Sequence, residues 1–228
     1  DDDGAWAHRD RWGRTWLLRR PDFYTEELWL LPDGAPALPA SSGPGALAET
    51  SATVAPGAVH IDVPASAEAS AVWDWLLVSL REDWETGGTV HRAGSLLAAP
   101  LEDFLAGGRD LETLFAPTPS ACLVGFTATA RHLVLTLLDD CVAALEVLTP
   151  PRGAGGWARR PLDLSALARR GPGAGTDVRP DAPPDPTALR PGRPLIEVSA
   201  AAVDGREGDR LWLTTSSFTR PTTLMAGE

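Results

Sequence analysis

The chain has 228 residues, 43% of them hydrophobic, which is enough for a sizeable core in one or two domains. Its formal charge of -11 argues against a nucleic-acid binder, which needs a basic stripe. No apolar run approaches the roughly 20 residues that a membrane helix requires.

Residues 6–32 contain a first hairpin, with Asp33-Gly34 as its turn or exit. Residues 35–58 are rich in Ala, Pro, Gly and Ser and follow neither a strand nor a helix period, so they read as a disordered or loop insert. Residues 59–63 resume a strand that Pro64 ends. In the run from Trp75 to Leu80, Leu76, Val78 and Leu80 fall on one face and Trp75, Leu77 and Ser79 on the other. A strand apolar on both faces must be covered on both, as in stacked sheets. Residues 84–94 read as a long connection bending at Gly87-Gly88, and residues 101–107 as one or two helical turns stopped by Gly107-Gly108. Residues 111–115 close that unit. Three strands follow over 123–150, and a fourth over 157–164. Residues 165–192 form a second insert dense in Pro, Gly and Arg. Residues 195–202 open a last unit, turned by Asp204-Gly205 and Gly208-Asp209, and residues 211–226 supply two more strands.

One pattern recurs. Arg14-Thr-Trp-Leu-Leu-Arg19, Asp74-Trp-Leu-Leu-Val-Ser79, Arg131-His-Leu-Val-Leu-Thr136 and Arg210-Leu-Trp-Leu-Thr-Thr215 each set a charge ahead of an apolar run. Each is followed, after a turn, by a second apolar run: 27–31, 95–99, 144–148 and 223–226. The intervals are roughly 60, 57 and 78 residues, and without the inserts they fall in the range of propeller repeats. The expected fold is therefore all-β, a β-propeller with about four antiparallel blades in this chain; the resemblance given below implies that the propeller is partial. An antiparallel sandwich with evenly spaced strands is the alternative. Nine tryptophans against one tyrosine suit indoles packed between stacked sheets, each N–H needing a partner where buried.

The residues that could carry chemistry are scattered. No serine has glycine two residues away on both sides, so there is no nucleophile elbow. There is no H-E-x-x-H or C-x-x-C, and no G-x-G-x-x-G opening a helix after a strand. His8, His60, His91 and His132 are far apart in sequence. His132 reads as a packed, hydrogen-bonded residue, and His91 as a loop residue that could face a channel. Asp139-Asp140 could suggest a metal site beside His132, but two aspartates directly after a strand more commonly form a turn. Arg159-Arg160 and Arg169-Arg170 read as solvated charge. Cys122 and Cys141 bracket one hairpin and could be bridged; with no signal-peptide apolar region in the chain, free buried thiols are the expected state. No catalytic, cofactor-binding or metal-ligating residue is assigned, and no cofactor is expected. The expected location is cytoplasmic. The acidic start at Asp1, without Met, suggests a piece cut from something longer.

Several strings together resemble the propeller of the prolyl oligopeptidase family of serine peptidases, in its bacterial branch. They are Phe23-Tyr-Thr-Glu-Glu-Leu-Trp29, Asp74-Trp-Leu-Leu-Val-Ser-Leu-Arg-Glu-Asp-Trp84, Ala93-Gly-Ser-Leu-Leu-Ala-Ala99, Phe104-Leu-Ala-Gly-Gly-Arg-Asp-Leu111 and Val198-Ser-Ala-Ala-Ala-Val-Asp204. Ser217-Phe-Thr-Arg-Pro-Thr-Thr-Leu224 resembles the segment by which that family leaves its propeller for the peptidase domain. The resemblance implies a seven-bladed propeller capping an α/β-hydrolase domain. This chain, residues 1–228, would be the C-terminal part of that propeller, with the catalytic domain absent from it. The partners implied are the missing blades, the hydrolase domain and short peptide substrates, with no nucleic acid and no membrane. The function implied is substrate gating in a peptidase that hydrolyses short peptides. The alternative is a non-enzymatic β-propeller that acts as a binding or interaction scaffold.

Overall fold

The computed structural model describes residues 4–32, 54, 56–153, 155–162, 197–217 and 220–227. The second insert and nearly all of the first lie outside the described residues, as do Arg169-Arg170. Among the described residues the structure is nearly all β, with one helix, and the chain divides into two compact units, Asp1–Ala116 and Pro117–Glu228.

The first unit holds two antiparallel sheets of four strands. One has the order β1 (Gly4–Arg9), β2 (Thr15–Arg20), β3 (Glu27–Leu31), β4 (Val59–His60). In the other, β5 (Glu68–Val72), β6 (Trp75–Ser79), β9 (Leu96–Pro100) and β10 (Glu112–Phe115) are neighbours in that order. Between β6 and β9 a two-stranded hairpin stands apart, β7 (Trp84–Thr86) with β8 (Thr89–His91). The second unit holds the sheet β11 (Ala121–Ala128), β12 (Leu133–Asp139), β13 (Val142–Thr149), β14 (Ala158–Leu162). It also holds a sheet that, among the described residues, has three strands: β15 (Glu197–Ala202), β16 (Leu211–Ser217) and β17 (Arg220–Gly227).

The four recurring charged-then-apolar strings become β2, β6, β12 and β16, the second strand of every sheet, and the runs that follow them become β3, β9, β13 and β17. Adjacent strands are joined in simple succession. A second strand therefore has a neighbour on each edge, and in β6 and β12 residues on both faces are buried, which suits their near-continuous apolar composition. In β6, Leu76 and Val78 are fully buried on one face and Leu77 is 1% exposed on the other.

In the first unit, Trp16 and Leu28 from the first sheet and Leu76, Val78, Leu97 and Ala99 from the second form one cluster, closed at its end by Leu101 and Phe104 of α1 (Leu101–Leu105). In the second unit, Val134, Leu145 and Val147 meet Val198, Leu211 and Leu213 in the same way. Each side chain so buried contributes about 1.5–3 kcal/mol relative to an exposed one.

The expected helix is present over Leu101–Leu105, begun directly after Pro100 and ended before Gly107 at φ +95°. The expected connection over 84–94 is instead the β7–β8 hairpin. Thr86 pairs with Thr89, so Gly87 and Gly88 alone make the turn, at φ +57° and +75°. These are the signs of a type I′ turn, whose twist matches that of paired strands. The strand expected over 59–63 is shorter, pairing only through Val59 and His60.

Candidate functional site

Each face of each sheet takes alternate residues, and this decides which polar groups can meet. His8 lies exposed on β1. His60, at the opposite edge of the same sheet, stands against the Trp29 ring with centroids 4.5 Å apart. His91 is not on a loop: it is on β8, 7% exposed, and burial pushes its imidazole below the ordinary histidine range. His132 is half-buried just ahead of β12. Its Nδ1 shares a 2.8 Å hydrogen bond with Thr149 Oγ1, and its backbone N–H donates to Thr129 Oγ1 at 3.1 Å.

Asp139 and Asp140 serve a turn, as aspartates after a strand commonly do. Asp139 pairs with Val142, leaving Asp140 and Cys141 as a two-residue turn at φ +48° and +61°. Ser120 Oγ donates to Asp139 at 3.0 Å, and Asp140 N–H to the Ser120 carbonyl at 2.9 Å. Among the described residues, no group of three or more His, Cys, Asp or Glu is placed to hold a metal. Cys122 and Cys141 are free, but both are exposed rather than buried. Cys122 is on an edge strand and Cys141 at a turn apex, so neither reaches a core. Arg159 pairs with Glu146 at 3.4 Å from an exposed position, and Arg160 beside it is exposed on the same edge strand.

Two carboxylates form centres that sequence reasoning passed over. Asp10, 8% exposed at its side chain, sits in the β1–β2 turn. Its Oδ1 accepts from the Trp12 and Arg14 backbone N–H groups, both at 2.9 Å. Its Oδ2 accepts from Arg14 Nε at 2.7 Å and Trp16 Nε1 at 2.9 Å. Burial opposes the charged carboxyl, but the bonds from Trp16 and Arg14 outweigh it and hold the group below its ordinary range. The buried Trp16 thus finds its N–H partner, whereas Trp29 Nε1 is buried without one.

Asp209, 9% exposed, does the equivalent work in the second unit. It accepts from Thr129 Oγ1 at 2.7 Å and from Arg131 N and Nε at 2.9 and 2.6 Å. Ala130 N–H adds a bond to the Gly208 carbonyl at 3.1 Å. The β11–β12 turn is clasped in this way to the β15–β16 loop. Here too burial opposes ionisation and the bonds from Thr129 and Arg131 prevail, lowering the carboxyl below its usual range. In the sequence Asp209 reads only as a turn residue and Asp10 is not singled out at all; the Arg131 partner of Asp209 is 78 positions away, so no local signal announces it.

The β1–β2 hairpin also exposes aromatic rings. Trp6 and Trp12 are 41% and 36% exposed. Arg20 lies 5.1 Å from the Trp6 ring centroid, Arg11 5.7 Å from that of Trp12, and Arg14 stands 5.4 Å from Trp12 and 5.7 Å from Trp16. The arrangement offers cation–π and hydrogen-bonding groups, but no nucleophile with an adjacent base.

No protein-family model matches the chain, and no curated protein does. Solved structures do. A post-proline cleaving enzyme from Rickettsia typhi is similar over 93% of this chain and 24% of its own, at 17% identity and a TM-score of 0.63. Prolyl oligopeptidase B from Galerina marginata is similar over 98% of this chain and 24% of its own, at 12% identity and 0.53. A prolyl endopeptidase matches over 98% and 26%, at 12% identity and 0.51.

The fold is a partial β-propeller. This chain spans about a quarter of the length of those solved chains, and at such identities the likeness is one of fold. The all-β expectation and its succession of antiparallel sheets are borne out. Among the described residues, no helix is long and apolar enough to cross a membrane.

Proposed function

We propose that this chain is the propeller portion of a prolyl oligopeptidase-like serine peptidase, and that its work there is steric. The observation that supports this is the likeness in fold over 93% of the chain to a quarter of a post-proline cleaving enzyme. A propeller set over an active site admits short, flexible peptides and excludes folded proteins, because its opening is narrower than a domain. The chemistry would belong to an α/β-hydrolase domain of the parent protein: acyl transfer from a peptide bond to serine, then hydrolysis by water. The described residues contribute rigid sheets, clasped at their turns by Asp10 and Asp209.

The test is to express the entire coding sequence that contains this chain. The product is treated with a serine-directed fluorophosphonate probe, and its cleavage of a proline-containing reporter peptide is measured. Covalent labelling, with loss of cleavage in the labelled protein, is the expected result. A product that neither labels nor cleaves would replace this reading with that of a binding scaffold.

A further inference from the structure

β11 is an edge strand without the features that usually guard one. Its eight residues, Ala-Cys-Leu-Val-Gly-Phe-Thr-Ala, include no charge and no proline. The other strands at the edges of the larger sheets carry a charge or a proline, as β14 does with Arg159, Arg160 and Pro161, or span two residues, as β4 does. Charges, prolines and short lengths keep a sheet edge from pairing with another chain. None of the eight residues of β11 is buried, and Val124 is 63% exposed.

The backbone of β11 is open on the side away from β12. In an antiparallel ladder, successive residues turn their N–H and C=O alternately toward the partner strand and away from it. The Thr129 N–H donates to the His132 carbonyl at 2.8 Å. Thr127 and Gly125 therefore face β12, while Ala128 and Phe126 face outward. At the start of the strand the outer edge is already taken. Ala121 N–H donates to Thr118 Oγ1 at 2.9 Å, and Thr118 N–H to the Ala121 carbonyl at 3.1 Å. Between these ends, Leu123 pairs with Leu137 and Gly125 with Thr136, leaving Val124 as the extra residue of a bulge. Among the described residues, the outward backbone groups of Phe126 and Ala128 have no hydrogen-bond partner. A Cβ built on Gly125 would meet nothing within 4 Å, so there is open space beside the strand.

We infer that residues 123–128 form a docking edge for an extended, uncharged peptide segment, which joins the sheet as a strand beside β11. Outward N–H and C=O groups at strand spacing are completed by another extended backbone. Leu123, Val124 and Phe126 offer apolar contact to its side chains, and no charge in β11 selects a charged partner. A second copy would bring its own net charge of -11 to the contact, whereas an uncharged segment meets no such repulsion. Binding of this kind needs neither a nucleophile nor a hydrolase domain, so it stands or falls separately from the peptidase reading.

The experiment uses the full chain and a fluorescein-labelled heptapeptide of alternating Thr and Val, followed by anisotropy. The control is the same peptide N-methylated at its three central residues. The unmodified peptide is expected to bind saturably and with little dependence on salt. The methylated one keeps every side chain but loses the donors that pair strands, and should bind about tenfold more weakly. Val124→Lys sets a charge at an exposed position and Phe126→Pro removes an outward N–H; each is expected to weaken binding about tenfold. Val90→Lys, at a 55% exposed valine of β8 in the first unit, should leave binding unchanged. Far-ultraviolet circular dichroism and thermal unfolding confirm that each variant folds; should Phe126→Pro not fold, Val124→Lys and the methylated peptide carry the test. Equal binding of the two peptides, or insensitivity to Val124→Lys and Phe126→Pro, would overturn the inference. Concentration-dependent dimerisation that Val124→Lys abolishes, in a chain that binds no peptide, would also overturn it, assigning the edge to a second copy.

Discussion

Removing the Asp209 carboxylate should loosen the second unit and alter how its stability depends on pH. Asp209→Ala deletes acceptors for three hydrogen bonds, from Thr129 Oγ1 at 2.7 Å and from Arg131 N and Nε at 2.9 and 2.6 Å. The Arg131 side chain is 66% exposed, and its ion pair with Asp209 at 2.5 Å adds at most about 1 kcal/mol after solvent screening. The bonds from Thr129 and the Arg131 backbone are better shielded, and bonds to a charged acceptor contribute about 1.5–3 kcal/mol each when intact. Water reaching the vacated turn recovers part of this, leaving an expected loss of about 2–3 kcal/mol. Asp209→Asn keeps an acceptor for Thr129 but turns an amide N–H toward a guanidinium, and should cost about half as much.

The pH dependence separates charge from shape. The folded carboxyl is held below its ordinary value, so the stability it contributes is fully present above the unfolded pKa of about 3.9 and is lost as pH falls through the lower folded value. Urea unfolding of wild type and both variants at pH 7, 5, 4 and 3 measures this. Wild type should converge toward Asp209→Asn below about pH 4. A loss under about 0.5 kcal/mol for Asp209→Ala, or a gap that stays constant down to pH 3, would refute the reasoning.

Three further perturbations have defined outcomes. Asp10→Ala strands the buried Trp16 Nε1 and the Arg14 guanidinium and should cost about 2–4 kcal/mol in urea unfolding of the full chain. Gly87→Ala sets a Cβ 2.5 Å from the Arg109 carbonyl oxygen at φ +57°, whereas at Gly88, φ +75°, a Cβ meets nothing within 4 Å. Both carry the left-handed backbone cost of about 1 kcal/mol, so a clearly larger loss of melting temperature is expected for Gly87→Ala. His91, held neutral by burial, favours the fold above the unfolded histidine pKa of about 6.5 and works against it as pH falls below that value; His91→Gln should flatten the stability profile between about pH 6.5 and 5.

The strands were legible because their periodicity is a property of the backbone. Charged-then-apolar strings located the second strand of all four sheets, and Pro100 with Gly107 bracketed the helix. The hairpin of β7 and β8 was legible too, since Gly87-Gly88 between Thr86 and Thr89 is a two-residue turn signal, but it reads equally as a bend. Which face of a strand is covered was not legible where both faces are apolar. In β2, where Trp16, Leu17 and Leu18 are all apolar, Trp16 lies in the cluster between the two sheets of the first unit and Leu18 packs against it. Leu211 and Leu213 likewise turn inward, and only Trp212 between them is exposed, at 41%. The clasp between Asp209 and Arg131 joins residues 78 positions apart. No local pattern encodes such a pairing, because it exists only once two sheets have stacked.

Steric selection by the propeller is tested most directly by substrate size. The entire gene product is given one proline-containing cleavage sequence in three settings: a reporter peptide of about ten residues, a flexible peptide of about sixty, and a surface loop of a stably folded protein. The account predicts rapid cleavage of the shortest, markedly slower cleavage of the longer peptide, and none of the folded protein until it is denatured and fragmented. Comparable rates on the short peptide and the intact folded protein would contradict it.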